Sequence, residues 1–162
     1  GHPDVETWLA GNDTPSAPGG TTWQENWNVR LGADGLARCR FLSHVAWDGM
    51  PAIYAQCDVL VLPSVRDNLP NVALEAMACG LPVISTTGGA LPEVVGNAGI
   101  LVPPADHIAL AKAITDVLDN PALAKKMGRT GYNRVRTLFT WKRAAEMTVE
   151  AYREAIHDYH RF

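Results

Sequence analysis

Short apolar runs alternate along the chain with longer stretches in which apolar residues recur at helical spacing. Several runs are almost wholly hydrophobic, which is typical of strands that are covered on both faces. The predicted strands are Val5–Ala10, Arg38–Leu42, Val59–Leu62, Pro82–Ser85 and Gly99–Val102. The predicted helices between them are Trp23–Ala33, Met50–Gln56 and Pro70–Cys79. Because strands separated by helices pair in parallel through right-handed crossovers, the predicted fold class is α/β with a doubly wound parallel sheet.

After Val102 the pattern changes to helices alone. Asp106 is placed to cap a helix from about His107 to Leu118. A turn at Asp119, Asn120 and Pro121 precedes a second helix to about Leu138. Thr140 caps a last helix, whose apolar residues recur every three or four positions and predict one packed face. The five tryptophans are not at stacking intervals, so we expect most of them in the core.

The segment from Asp58 to Ser85 is the most informative part of the chain. A buried strand ends at Leu62, a polar turn follows, and Pro70 suits the first turn of a helix because proline lacks the N–H that is unpaired there. Gly80 is placed as a left-handed cap at the end of this helix. The unit brings Asp67, Asn68 and Leu69 to the carboxyl edge of the sheet, where ligands bind in open α/β folds.

The residue types at this edge favour a ligand that carries both phosphate and hydroxyl groups. A helix N-terminus offers unpaired N–H groups and about half a positive charge, which suits a phosphate. Asp67 and Glu75 flank that position, and carboxylates repel phosphate but match the two hydroxyls of a diol. A nucleoside diphosphate sugar, with ribose at one end and hexose at the other, fits this description.

Charge and cysteine content limit the other classes of partner. The net formal charge is −3, so no broad basic surface of the kind that nucleic acid requires is present. Cys39, Cys57 and Cys79 are far apart and form no CxxC pair, so neither a zinc site nor a disulfide framework is supported. Between Phe41 and Ala111 the only lysine or arginine is Arg66, which is too little for a diphosphate leaving group. We therefore expect further cations from outside this chain.

The same residues resemble the GT-B retaining glycosyltransferases of family 4. The family pattern is an acid, seven residues, then Glu, followed by Ala-Met-Ala-x-Gly-x-Pro-Val and a Gly-Gly-x-Pro-Glu loop. Here the chain reads Asp67-Asn-Leu-Pro-Asn-Val-Ala-Leu-Glu75, then Ala76-Met-Ala-Cys-Gly-Leu-Pro-Val83, then Gly88-Gly-Ala-Leu-Pro-Glu93. Gly99-Ile-Leu-Val-Pro-Pro and Phe139-Thr-Trp141 also match. The chain departs from the pattern at Asp67, where the family usually has Glu, and in the Asn68-Leu-Pro-Asn71 run, where the family has a Gly-rich run. Two residues rather than one also separate Gly-Gly from Pro-Glu.

The resemblance implies a role for each matching residue. Glu75 would hold the ribose hydroxyls of the donor, and Asp67 would face the transferred sugar in the catalytic position. Backbone amides around Asn68 and Leu69 would meet the sugar and the phosphates, and Pro70 would complete the donor-binding segment. Arg66 either pairs with Asp67 or reaches a phosphate. His44 follows the strand that ends at Leu42, at the position where family members hold the nucleotide base against the backbone. Gly88 and Gly89 are more typical of a tight turn than of direct binding.

The resemblance also implies the wider organisation of the protein. Residues 1–162 would form a Rossmann-like donor-binding domain, and we expect its first strand and an N-terminal acceptor domain to lie outside this chain. The reaction would be hexosyl transfer from a nucleotide sugar, with retention and without a metal or other cofactor. The acceptor would be a saccharide or lipid-linked hydroxyl. We expect a cytoplasmic location, with membrane contact only through the missing part. Alternatives are a non-catalytic nucleotide-sugar-binding module and a GT-B nucleotide-sugar epimerase.

Overall fold

The computed structural model describes residues 2, 4–11, 13, 15 and 17–159. These residues form two compact units, Gly1–Met50 and Pro51–Phe162. The α/β fold class predicted from the sequence is confirmed, since every strand pairing is parallel and helices follow the strands. In the described part of the chain, the strands are hydrogen-bonded as two sheets, one of two strands and one of three.

The first unit is built from two strands and the helix between them. Its elements are β1 (Thr7–Ala10), α1 (Trp23–Leu36) and β2 (Cys39–Leu42). Thr22 and Glu25 form a capping box at the start of α1, because each side chain accepts a hydrogen bond from the backbone N–H of the other residue. Gly32, at φ +64°, interrupts α1 close to the predicted helix end. The helix nevertheless continues for a further turn to Leu36.

The second unit carries three strands and most of the helices. Its elements are α2 (Met50–Tyr54, from the last residue of the first unit), β3 (Leu60–Leu62), α3 (Asn71–Ala78), β4 (Val83–Thr86), α4 (Leu91–Val95), β5 (Gly99–Val102), α5 (His107–Leu118), α6 (Pro121–Leu138) and α7 (Trp141–Tyr159). The sequence predicted β5 and α5 at these bounds and the end of α6 at Leu138, but it placed Pro121 in the preceding turn rather than at the start of α6. It missed α4, and the other four strands begin one or two residues later than predicted.

The core of the second unit surrounds β4, all four residues of which are buried. Ile84 packs with Val102 of β5, with Ala113 and Val117 of α5, and with Met127 of α6. Helices α3 and α4 also contact β4. A central strand covered by helices reads as a continuous apolar run, which is the pattern that located it in the sequence.

Helix α3 ends where the sequence predicts. Gly80 has φ +77°, its N–H donates to the Met77 carbonyl, and the Leu81 N–H donates to the Ala76 carbonyl. This pair of bonds is a Schellman motif, which satisfies carbonyl groups at the helix end. The caps predicted for the later helices are also confirmed, since Asp106 accepts from the Ala109 N–H and Thr140 from the Arg143 N–H.

Helix α6 crosses the end of α3 at two glycines. A Cβ on Gly128 would overlap the carbonyl oxygen of Gly80, and a Cβ on Gly131 would lie 2.9 Å from the Met77 side chain. Both glycines are buried. The close approach of α6 therefore depends on the absence of side chains at these two positions, and it fixes the helix that carries Glu75.

The expectation that the tryptophans lie in the core is wrong for three of them. The exposed fraction is 87% for Trp47, 93% for Trp141 and 45% for Trp23. Trp27 is half-buried beside Phe41, with 6.1 Å between the ring centroids. Every described residue of α7 is exposed, so none of the described residues buries the packed face that the sequence predicted for this helix. None of the described helices has both the length and the apolarity required to cross a bilayer.

Candidate functional site

The turn between β3 and α3 carries most of the predicted site residues. Asp67, Asn68, Leu69 and Pro70 lie in this turn, and Glu75 lies in the second turn of α3. The turn follows the carboxyl end of β3, as the sequence predicted. All of these residues belong to the second unit.

Asp67 is held by its own loop and by the loop after β4. Its carboxylate oxygen Oδ1 accepts a hydrogen bond of 3.0 Å from the Leu69 N–H. Its backbone forms a parallel bridge with Gly89, and its carbonyl accepts from the Ala90 N–H at 2.8 Å. The backbone at Asp67 is thereby fixed, one carboxylate oxygen is engaged within the turn, and the Leu69 N–H is already in use.

Two buried hydroxyl side chains of β4 hold the same turn from below. Ser85 Oγ donates to the Leu62 carbonyl at 2.8 Å, and Thr86 Oγ1 donates to the Ser64 carbonyl at 2.5 Å. Thr86 Oγ1 also accepts from the Gly88 N–H at 3.2 Å. Since both hydroxyls are almost completely buried, their hydrogen bonds have no competition from water and fix the start of the β3–α3 turn.

The glycine pair after β4 forms a tight turn against the Asp67 segment. A Cβ on Gly88 would overlap the Val65 carbonyl oxygen, and a Cβ on Gly89 would overlap the Asp67 carbonyl oxygen. Gly89 also has φ +63°, a conformation that glycine adopts without steric cost. The structure therefore gives these two residues the turn role that the sequence favoured.

The N-terminus of α3 has fewer free N–H groups than a simple helix end. Pro70 is the N-cap residue, one position before the helical turn in which the sequence placed it. The N–H groups of Ala73 and Leu74 donate to the Pro70 carbonyl, and that of Asn71 donates within the preceding turn. Of the first four N–H groups, this leaves that of Val72 for a ligand, together with amides of the preceding loop.

Glu75 is exposed, but its carboxylate is held by a buried tyrosine. The hydroxyl of Tyr54, on α2, donates to Glu75 Oε2 at 3.1 Å. Tyr54 is 4% exposed. Burial raises the pKa of Tyr54 above its usual range, and the hydrogen bond to Glu75 and the charge of Glu75 raise it further. The phenol therefore keeps its proton and donates a hydrogen bond to Glu75 Oε2. The other carboxylate oxygen, Oε1, is not engaged by Tyr54.

Sequence reasoning missed Tyr54 because an aromatic residue in a short apolar run is usually interpreted as core. One signal was available: a tyrosine that is buried needs a hydrogen-bond partner for its hydroxyl. The nearby helix α3 offers Glu75 as that partner. Among the charged side chains of the described part of the chain, Glu75 is the one that the Tyr54 hydroxyl reaches.

The remaining predicted residues stand apart from this cluster. Arg66 is exposed and makes no ion pair with Asp67 or with any other described residue. His44 belongs to the first unit, where it is exposed directly after β2. The neighbouring Ser43 lines a cavity of about 390 Å³ at the carboxyl ends of β1 and β2, together with Trp23, Trp27 and Asp13. In the described ranges no three His, Cys, Asp or Glu residues are grouped closely enough to hold a metal.

Residues 2–120 match the family model described as "Glycosyl transferases group 1". The chain belongs to this family. The match spans β1 to α5 and therefore includes the Asp67–Glu75 segment and the Gly88–Gly89 turn.

Individual named proteins are similar over almost the whole chain. The MMP alpha-(1->4)-mannosyltransferase of Mycolicibacterium hassiacum is 34% identical over 156 residues, which cover 94% of this chain and 36% of that protein. Sucrose-phosphate synthase from Thermosynechococcus elongatus has a TM-score of 0.76 at 32% identity, covering 93% of this chain and 38% of that structure. The present chain therefore spans about a third of the length of these relatives.

A third solved structure extends the likeness of fold to lower identity. HepE from Anabaena, solved in complex with UDP, has a TM-score of 0.75 at 22% identity, covering 90% of this chain and 41% of HepE. The same protein was also solved in complex with UDP-glucose. At this identity the likeness concerns the fold alone. It agrees with the α/β arrangement of parallel strands and flanking helices described above.

Proposed function

We propose that this chain is the donor-binding part of a retaining glycosyltransferase of family 4. The whole protein would transfer a hexosyl group from a nucleoside diphosphate sugar to an acceptor hydroxyl. The acceptor, a saccharide or a lipid-linked sugar, would be bound by a part of the protein outside this chain. Membership of the glycosyl transferases group 1 and the names of the relatives support transfer of a sugar. The UDP and UDP-glucose complexes of Anabaena HepE support a nucleotide sugar as donor.

The observation that carries the proposal is the arrangement of two oriented carboxylates around the β3–α3 turn. Asp67 is fixed by the Leu69 N–H, and Glu75 is fixed by the Tyr54 hydroxyl. Each carboxylate keeps one oxygen for a ligand, and ionised carboxylates accept hydrogen bonds from hydroxyl groups strongly. We assign the ribose hydroxyls to Glu75 and the transferred sugar to Asp67.

The diphosphate has a different set of partners in this proposal. The N–H groups of Asn68 and Val72 and the exposed guanidinium of Arg66 are its candidates within the second unit. One arginine leaves much of the diphosphate charge uncompensated, so further cations would come from the rest of the protein. No resident metal is invoked, because amides and basic side chains perform the same electrostatic task.

Calorimetry on the full-length protein tests the donor site. UDP, GDP, ADP and their glucose and mannose derivatives are titrated into the wild type and into Glu75→Ala. We expect the variant to lose at least about tenfold in affinity, since it removes a hydrogen bond between a charged and a neutral group, worth about 1.5–3 kcal/mol. Glu150→Ala, which removes an exposed acid on α7, should bind as the wild type does. Equal affinities for Glu75→Ala and wild type would exclude the assignment.

Product analysis tests the reaction. Asp67→Asn keeps an oxygen for the Leu69 N–H, so the turn should persist and nucleotide binding should stay within about threefold. Sugar transfer should fall by about a hundredfold or more, because the removed charge is one that would face the reacting centre. The anomeric configuration of the product, read by NMR, decides between retention and inversion. Donor binding without transfer would favour a binding module, and conversion of the donor without acceptor would favour an epimerase.

A further inference from the structure

The Tyr54–Glu75 pair joins two elements that are distant in sequence. Tyr54 ends α2 and Glu75 lies 21 residues later, in the second turn of α3. The tyrosine ring is buried, whereas the glutamate is exposed. A buried phenol therefore directs its hydroxyl outward, to a carboxylate at the surface.

This contact restrains a side chain that is otherwise mobile. Ordering a glutamate side chain costs up to about 1.5–2 kcal/mol in rotamer freedom. Glu75 has no other hydrogen-bond partner among the described residues. The Tyr54 hydroxyl is thus what holds the carboxylate in one orientation, with Oε2 engaged and Oε1 free.

We propose that Tyr54 is a positioning residue for ribose recognition, acting by holding Glu75 Oε2 so that Oε1 meets the ribose hydroxyls. The inference rests on the proposed function, in which Glu75 binds the donor ribose. Tyr54 itself does not contact the nucleotide. Its effect is to remove in advance the conformational cost that Glu75 otherwise meets on binding.

The test compares ribonucleotides with their 2′-deoxy counterparts in the full-length protein. Calorimetry is performed with UDP, GDP and ADP and with dUDP, dGDP and dADP, on the wild type and on Tyr54→Phe. Phenylalanine keeps the buried ring, and the exposed Glu75 is then hydrated, so the variant should fold. For the ribonucleotide that the wild type binds, we expect an affinity loss of about five- to tenfold. For its 2′-deoxy form, we expect a loss of less than about twofold.

Further measurements separate positioning from a general structural role. In a Glu75→Ala background, Tyr54→Phe should have little further effect, because it acts through the carboxylate. The KM for the sugar donor should rise in Tyr54→Phe with kcat little changed. Tyr152→Phe, on the exposed face of α7, is the matched control. Thermal midpoints and circular dichroism of each variant verify the fold.

The outcomes distinguish the inference from the function on which it rests. Equal losses for the ribo and deoxy forms, or an undiminished effect in the Glu75→Ala background, would overturn the positioning role. If the wild type binds a nucleotide and Glu75→Ala binds it equally well, the assignment of Glu75 to the ribose is overturned instead. Loss of the ribo preference in both Tyr54→Phe and Glu75→Ala supports both.

Discussion

Replacing Thr86 by valine should loosen the turn that carries Asp67. Valine matches the shape of threonine but lacks the hydroxyl, so the Ser64 carbonyl loses its donor and the Gly88 N–H loses its acceptor. A buried polar group without a partner costs about 1–3 kcal/mol. Gly88 is buried, so its N–H is left without a partner. Ser64 is half-buried, so its carbonyl recovers part of its hydration. We expect the two losses together to cost about 3 kcal/mol.

Hydrogen exchange measured by mass spectrometry on the full-length protein is the suitable assay, since it reports local opening within a larger molecule. A cost of about 3 kcal/mol corresponds to roughly a hundredfold faster exchange, at about 1.4 kcal/mol per factor of ten. The effect should appear in peptides that cover β3, the β3–α3 turn and β4.

Thr86→Ser is the matched variant because it keeps the hydroxyl and removes only a methyl group. Its cost should be about 1 kcal/mol, from lost apolar burial. If Thr86→Val accelerates exchange no more than Thr86→Ser does, the two hydrogen bonds of Thr86 do not stabilise the turn, and the argument from unpaired polar groups is refuted.

Three further predictions concern other parts of the second unit. Gly128→Ala should destabilise the α3–α6 contact by about 1–3 kcal/mol, because the new Cβ overlaps the Gly80 carbonyl. Hydrogen exchange in α3 measures this loss. The control Lys126→Ala, at an exposed position of α6, should change the stability by less than about 0.5 kcal/mol. Asp106→Ala should destabilise α5 by about 1 kcal/mol, since the Ala109 N–H loses its capping acceptor. Faster hydrogen exchange in the first turn of α5 would show this loss. The pKa of Tyr54 is raised from 10.0, so the stability that the Tyr54 hydroxyl contributes is fully present below pH 10 and is lost as the pH rises further. The difference in thermal midpoint between wild type and Tyr54→Phe should therefore shrink above pH 10. A difference that stays constant would contradict the raised pKa.

The parts of the fold that the sequence predicted well are those governed by local chemistry. Asp106, Thr140 and Gly80 act as the predicted caps because each role depends on residues within one helical turn. The wholly apolar run at β4 was recognisable because burial on both faces removes the polar alternation. The bounds of β5 and α5 follow from the same local signals.

The parts that the sequence missed depend on contacts between distant residues. The Tyr54–Glu75 bond spans 21 residues, and nothing in the periodicity of the short helix α2 distinguishes its tyrosine from a core residue. Helix α4 is five residues long and lies within a Gly-Pro motif that predicts a loop. Trp47 and Trp141 are exposed, although size and apolarity alone predict burial. Each of these outcomes depends on what tertiary packing leaves uncovered.

The bridge between Asp67 and Gly89 has a consequence for how donor preference can change. Because that bridge fixes the backbone, the adjacent side chains of Asn68 and Leu69 extend from a constant frame and are both exposed. Substitutions there would change the chemical groups that the proposed donor site offers to a sugar, without requiring the loop to fold anew. Surface substitutions of this kind usually alter stability by less than about 0.5 kcal/mol. Under the proposed function, new donor specificities would therefore be accessible through single substitutions that cost little stability, and directed evolution would have a defined place to begin.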